Sequence, residues 1–312
     1  ACRQATSVLT FRDTPVDWAH TMDILGNAYL NRVKGDRTEN IENAINAFEQ
    51  ALKVRTRQVM PTDWAHTMDN LGISYSNRIQ GDRANNIEKA IESHLQSLEV
   101  RAQQAVPVDW ARTMNNLGAA YSIRIYGNKA ENMENAIDAF EQALKVRTRQ
   151  AMPIDWAQTM NNLGVAYRNR IMGGSAENIE RAIKAYQQVL EVLRPEVLPN
   201  YSRMIAHNLG DVYFDEHRWA EASDPYELAL KAAEILYRAS LFRGSREAEL
   251  AETSDLYHNT AYSMARSDRL EDAVVTLEQG RARGLSEALA RDRADLEGVK
   301  KDDPKAYERY QQ

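Results

Sequence analysis

Between Asp17 and Val33, apolar residues fall at Trp18, Met22, Leu25, Ala28 and Tyr29. Steps of three and four place them on one stripe of a helix. Pro15 and Asp17 stand at its start, where an aspartate can accept a backbone N–H as the N-cap. A second stripe runs from Glu39 to Gln58 through Ile41, Ala44, Ile45, Phe48, Leu52 and Arg55. Between and after these helices lie the polar stretches KGDRTEN and VMPTD, punctuated by Gly35 and Pro61. Gly26 and Ala44 are small enough to let the two helices approach closely. Tyr29 and Phe48 are left to fill the gap to a neighbouring unit.

That neighbour is written in the chain. Trp18, Trp64, Trp110 and Trp156 are spaced 46 residues apart, as are the Leu-Gly pairs at Leu25, Leu71, Leu117, Leu163 and Leu209. Tyr29, Tyr75, Tyr121, Tyr167 and Tyr213 follow the same period. ENAINAFEQALKVRTRQ at Glu42 returns at Glu134 with one change, Asn46 to Asp138. A lone helix pair cannot bury such a stripe, but stacked pairs can.

Leu25, Gly26 and Tyr29, followed by Ala44, Phe48 and Ala51, resemble the tetratricopeptide repeat. That unit is about 34 residues long. Here the loop between helices and the exit of the second helix are both enlarged. The resemblance implies an all-α fold, a right-handed superhelical α-solenoid of TPR-like helix-turn-helix repeats. Residues 14–199 read as four 46-residue repeats, 200–240 as one of ordinary spacing (Leu209, Gly210, Tyr213, Ala222, Tyr226, Ala229), and 241–284 as a divergent sixth. Residues 1–13 align with Ala47 onwards and read as the second helix of a truncated repeat. Residues 285–312 read as a helical segment leading to a missing downstream domain. Leu277 to Glu297, with the segment before it, resembles the region preceding the protease domain of CHAT-family proteins, in which caspase-like domains accompany these repeats. What this implies is a regulatory or sensor arm, with a protease domain in cis as one partner. The alternative is a free-standing scaffold.

Composition removes other classes. The net charge of -6 disfavours nucleic acid and anionic membranes as main partners. No apolar run approaches the roughly 20 residues that span a bilayer, and no signal peptide is evident; the expected location is the cytoplasm. The lone cysteine, Cys2, aligns with Phe48 and reads as core packing. The six histidines, His20, His66, His94, His207, His217 and His258, lack the helical spacing of metal ligands. His94 stands where Phe48 stands in the first pair and reads as a core or edge imidazole. No catalytic residue, metal or cofactor is expected. Glu42, Glu88, Glu134 and Glu180 recur near the start of each second helix, and Arg32, Arg78, Arg124 and Arg170 near the end of each first helix. They suggest an Arg–Glu pair across each enlarged loop.

In the family this chain resembles, first helices line a concave face where peptides bind. The residue before each Leu-Gly is Ile24, Asn70, Asn116, Asn162 and Asn208. Each amide offers a donor and an acceptor, which suits the backbone of an extended peptide. The competing reading is that each asparagine bonds a neighbouring helix and holds the stack. Beside this ladder lie Asp69, Asn115 and Asn161, one turn earlier His66 and Arg112, and one turn later Arg168. The expected ligand is therefore a protein or peptide. Chaperone-binding repeats of this family use lysines where this chain has Asp or Asn, which argues against that role.

Overall fold

The computed structural model describes residues 9–240 and 243–302. These form twelve α-helices and, among the described residues, no strand. In chain order they are α1 (Pro15–Leu30), α2 (Arg37–Leu52), α3 (Pro61–Ser76), α4 (Arg83–Leu98), α5 (Pro107–Ser122), α6 (Lys129–Leu144), α7 (Pro153–Arg168), α8 (Ser175–Leu190), α9 (Pro199–Asp215), α10 (Trp219–Ala239), α11 (Arg243–Arg266) and α12 (Leu270–Asp302). The chain forms two compact units, Ala1–Ala182 and Ile183–Gln312, with the boundary inside α8. Residues 1–8, including Cys2, lie outside the described residues, and 9–13 form a bend and turn.

In the first unit each helix packs on the next, α1 on α2, α2 on α3, and so on to α7. First helices of successive pairs also touch: α1 with α3, α3 with α5, α5 with α7. This is the stacking of a helix-pair solenoid. The close approach inside a pair is tight. A Cβ on Gly26 would lie 2.6 Å from the Phe48 ring, and one on Gly118 2.8 Å from that of Phe140. Phe48 and Phe140 are fully buried. Phe48 therefore fills the space inside its own pair, where the sequence pattern had assigned it to the gap between pairs. A ring and a missing side chain are complementary shapes, and that fit draws it inward.

Helix ends differ from the sequence expectation in three ways. Pro15, not Asp17, opens α1, because a proline at the first position loses no helical hydrogen bond; Asp17 sits in the first turn, near the positive end of the dipole. Helix α2 is capped by Asp36, whose carboxylate accepts from Glu39 N at 2.7 Å. It ends at Leu52, six residues before Gln58. The stripe continues to Arg55 because the chain turns there and tucks that side chain inward, not because the helix persists.

The enlarged loop has a fixed build. Gly35, Gly81, Gly127 and Gly173 all take positive φ, between 79° and 89°. Asn40, Asn86, Asn132 and Asn178 donate to the carbonyls of Lys34, Gln80, Tyr126 and Met172 at 2.8–3.1 Å. Asn132 and Asn178 also accept from Arg124 and Arg170 of the same pair at 3.4 Å. Arg78, Arg124 and Arg170 make two-pronged pairs with Glu42, Glu88 and Glu134 of the preceding pair, at 2.6–2.8 Å. The rung links adjacent units; it does not cross a loop within one unit. Arg32, in the α1–α2 pair, bonds Asn40.

In the second unit α9 packs on α10, α10 on α11, and α11 on α12. The turns here are short. His217 and Asp268 take φ of 58° and 62°, and Arg218 and Arg269 donate back to Tyr213 O and Met264 O. That is the left-handed C-cap expected of a two-helix turn. Phe214, Trp219 and Tyr262 form an aromatic cluster, with ring centroids 5.0–5.6 Å apart.

Candidate functional site

The first-helix face of the first unit carries a polar ladder at each junction between pairs. At the first junction, buried Asp23 meets buried Arg55 at 3.2 Å and accepts from Thr67 Oγ1 at 2.9 Å. Arg55 also donates to Thr67 and lies 3.1 Å from His20 Nδ1. At the second, Asp69 has no exposed surface. It is 2.9 Å from His94 Nδ1, 3.1 Å from Arg101 and 3.3 Å from Arg112. Arg101 in turn donates to Thr113 at 2.7 Å.

Burial alone would raise the pKa of Asp69. The His94 hydrogen bond and charge, then the charges of Arg101 and Arg112, outweigh it and hold the carboxyl far below the usual range. For His66 the balance favours the neutral form: burial lowers its pKa, Asp23 pulls it up, and Arg112 and Arg101 push it down again. Its Nδ1 lies 3.3–3.4 Å from both arginines.

At the third junction the acid is gone. Asn115 stands where Asp69 stood, yet Arg147 is as buried as Arg101. Arg147 bonds Thr159 at 3.1 Å, and its nearest carboxylate is the half-exposed Asp155 at 3.5 Å. Sequence reasoning had singled out neither the Arg55, Arg101, Arg147 ladder nor Thr67, Thr113 and Thr159. Their 46-residue recurrence was the available signal.

The structure divides the expected peptide contacts into two groups. Asp69, Asn115 and Asn161 are buried inside the stack. Asp69 is fully engaged there, so its carboxylate is not presented to the groove. Asn70 is also buried, 3.2 Å from His66 Nε2. Asn116 and Asn162 are only partly buried. Each spends one N–H on the preceding pair: Asn116 donates to Asp69 at 3.3 Å and Asn162 to Asn115 at 3.2 Å. Their amide oxygens accept no hydrogen bond among the described residues. His66, Arg112 and Arg168 are partly exposed. Asn208 belongs to α9, in the second unit, and is partly buried. Asn116 borders a groove of about 370 Å³ with Ile73, Asn77, Ala119 and Ile123, between α3 and α5.

Among the described residues, no group of three or more His, Cys, Asp or Glu side chains could hold a metal ion. No described helix is long and apolar enough to cross a membrane.

Comparison with known proteins agrees with this architecture. Residues 156–194 match the family described as tetratricopeptide repeat. Among solved structures, BtubC (BKLC) from P. vanneervenii is 16% identical with a TM-score of 0.57, over 79% of this chain and 91% of that one. The apo form of RapI is 15% identical with a TM-score of 0.54, over 91% and 90%. A thermophilic TPR protein of Thermus thermophilus is 17% identical with a TM-score of 0.48, over 75% and 97%. No curated protein matches the chain. The molecule is thus an all-helical solenoid of helix pairs. It carries a tetratricopeptide repeat and has the kind of surface suited to protein interaction.

Proposed function

We propose that the chain is a protein- or peptide-recognition solenoid that holds an extended segment along the first-helix face at Asn116 and Asn162. One observation carries the reading. Both amides are fixed by a bond to the preceding pair, and both keep a free oxygen on a partly open surface. A fixed acceptor suits the backbone N–H of a peptide whatever its sequence, and its rigidity lowers the ordering cost of binding. Arg112, held by Asp69 and Asp109, adds positive charge one turn before Asn116.

Within this reading, the finer role is the regulatory or sensor arm of a CHAT-type caspase-like protease in the cytoplasm. The resemblance of Leu277 to Glu297 and the segment before it supports that role. A free-standing scaffold fits the fold equally well. Reading the gene past the codon for Gln312 separates the two: a domain with a paired His and Cys supports the arm, and an early stop supports the scaffold. Recognition itself is tested with peptides selected from a displayed random library. Asn116→Ala with Asn162→Ala should weaken them by more than about tenfold at unchanged helicity. Unchanged affinity would remove the ladder from the binding surface.

A further inference from the structure

Three positions around α3, α4 and α5 break the 46-residue pattern, and all three border one groove. Helices α2, α6 and α8 each bury an aromatic ring, Phe48, Phe140 and Tyr186; the equivalent residue of α4 is His94. Ala119 stands where the flanking first helices carry Ile73 and Val165. Ile123 stands where the other first helices end on asparagine. Asn31, Asn77 and Asn169 each donate to the carbonyl four residues back, at 2.8–2.9 Å. An isoleucine cannot make that bond, and Ile123 is 45% exposed. A chain that obeys its own pattern elsewhere and gives up local stability at one spot marks that spot as functional.

The departures converge on the groove of about 370 Å³ that Asn116 borders. Ala119 gives it room, and Ile73 and Ile123 give it apolar walls. His94, 1% exposed, is a buried polar residue that lines it. Its Nδ1 lies 2.9 Å from Asp69, and a carboxylate only accepts, so Nδ1 donates. Nε2 has no hydrogen bond among the described residues. Buried Asp69 therefore fixes the imidazole and leaves one ring nitrogen over for a ligand.

We propose that this groove is a side-chain pocket for a tyrosine of the bound peptide, with the ring against Ile73, Ala119 and Ile123 and the hydroxyl on His94 Nε2. It rests on the peptide-recognition reading above and adds the residue that is recognised. A phenol hydroxyl both donates and accepts, so it matches Nε2 whether or not that nitrogen carries a proton. A ring with a polar tip suits apolar walls and a single fixed nitrogen. Serine or threonine would leave the two isoleucines uncovered. Phenylalanine would cover them but strip water from Nε2 without replacing its hydrogen bond.

The first test needs no peptide. p-Cresol, the tyrosine side chain as a free molecule, is titrated into the full chain, and the ring resonances of His94 are followed by NMR. They should shift saturably, and toluene at the same concentration should shift them less than about a tenth as far. Ala119→Val should abolish the response. It fills the pocket with the residue that Val165 places at the equivalent position, so the fold is kept. No shift, an equal response to toluene, or a response that survives Ala119→Val overturns the proposal, whether or not Asn116 and Asn162 hold a peptide backbone. The second test uses peptides selected on the full chain from a displayed random library. They should share a tyrosine, and its replacement by phenylalanine should weaken binding about tenfold in the parent and not in Ala119→Val. Selected peptides with no shared tyrosine overturn the pocket and leave the Asn116, Asn162 reading standing.

Discussion

Asn115→Asp should stabilise the protein, and the reason lies in the junction before it. Arg101 and Arg147 are repeat-equivalent and both 3% exposed. Arg101 has Asp69 at 3.1 Å; Arg147 has an amide at the equivalent place. A buried ion pair is often no gain, because two charges must leave water. Here the guanidinium is already buried, and only the new carboxylate is desolvated. Two unit charges at this separation attract by about 5 kcal/mol at an effective dielectric near 20. Desolvation of the carboxylate returns most of that, leaving about 1–2 kcal/mol. No hydrogen bond is lost: Asn115 accepts from Asn162 through Oδ1, and a carboxylate accepts the same bond. For a unit of 182 residues this corresponds to a rise in Tm of roughly 3–6 °C. The introduced carboxyl, like Asp69, would have its folded pKa lowered. Its gain is then complete above the unfolded value of about 3.9 and shrinks as pH falls below it. Thermal melts of parent and variant at pH 7, 5 and 3 read this directly. An unchanged or lower midpoint at pH 7, or a gain undiminished at pH 3, would refute the reasoning.

Asp69→Asn should cost about 3–5 kcal/mol at pH 7, since it strands Arg101 beside His66 and Arg112; denaturant midpoints should show the gap to the parent closing as pH falls through the carboxylate range. Gly118→Leu should force α5 from α6, because even a Cβ there lies 2.8 Å from Phe140, and should loosen neighbouring pairs too; a melting curve identical to the parent would contradict it. Gly127→Ala, at a φ of 81°, should destabilise by about 1–2 kcal/mol through backbone strain alone, as a chemical melt would show, because no side chain crowds its Cβ closer than 3.6 Å.

Much of the fold was legible because it is written several times. A stripe seen once could be coincidence, but Trp18 returning as Trp64, Trp110 and Trp156 fixes both the period and the helix pairs. Periodicity does not say which neighbour a side chain turns towards. Arg78 and its equivalents recur beside a loop, and only the fold shows that they reach back to Glu42, Glu88 and Glu134 of the preceding pair. The same ambiguity hid the end of α2, since Arg55 keeps the stripe while the backbone has already turned. It also hid that Asn116 and Asn162 bond the preceding pair through their amide nitrogens. His94 was readable as a core imidazole, and it is 1% exposed; its pairing with Asp69 needed the fold, because the two are 25 residues apart and on different helices.

The most direct measurement of peptide recognition at this face is a backbone N-methyl scan of a selected peptide, read as affinity for the full chain. If the oxygens of Asn116 and Asn162 accept peptide N–H groups, methylation at two backbone positions should each weaken binding by about tenfold, and those losses should vanish in the Asn116→Ala, Asn162→Ala protein. Equal affinity at every methylated position, or losses that persist unchanged in the double variant, would contradict it.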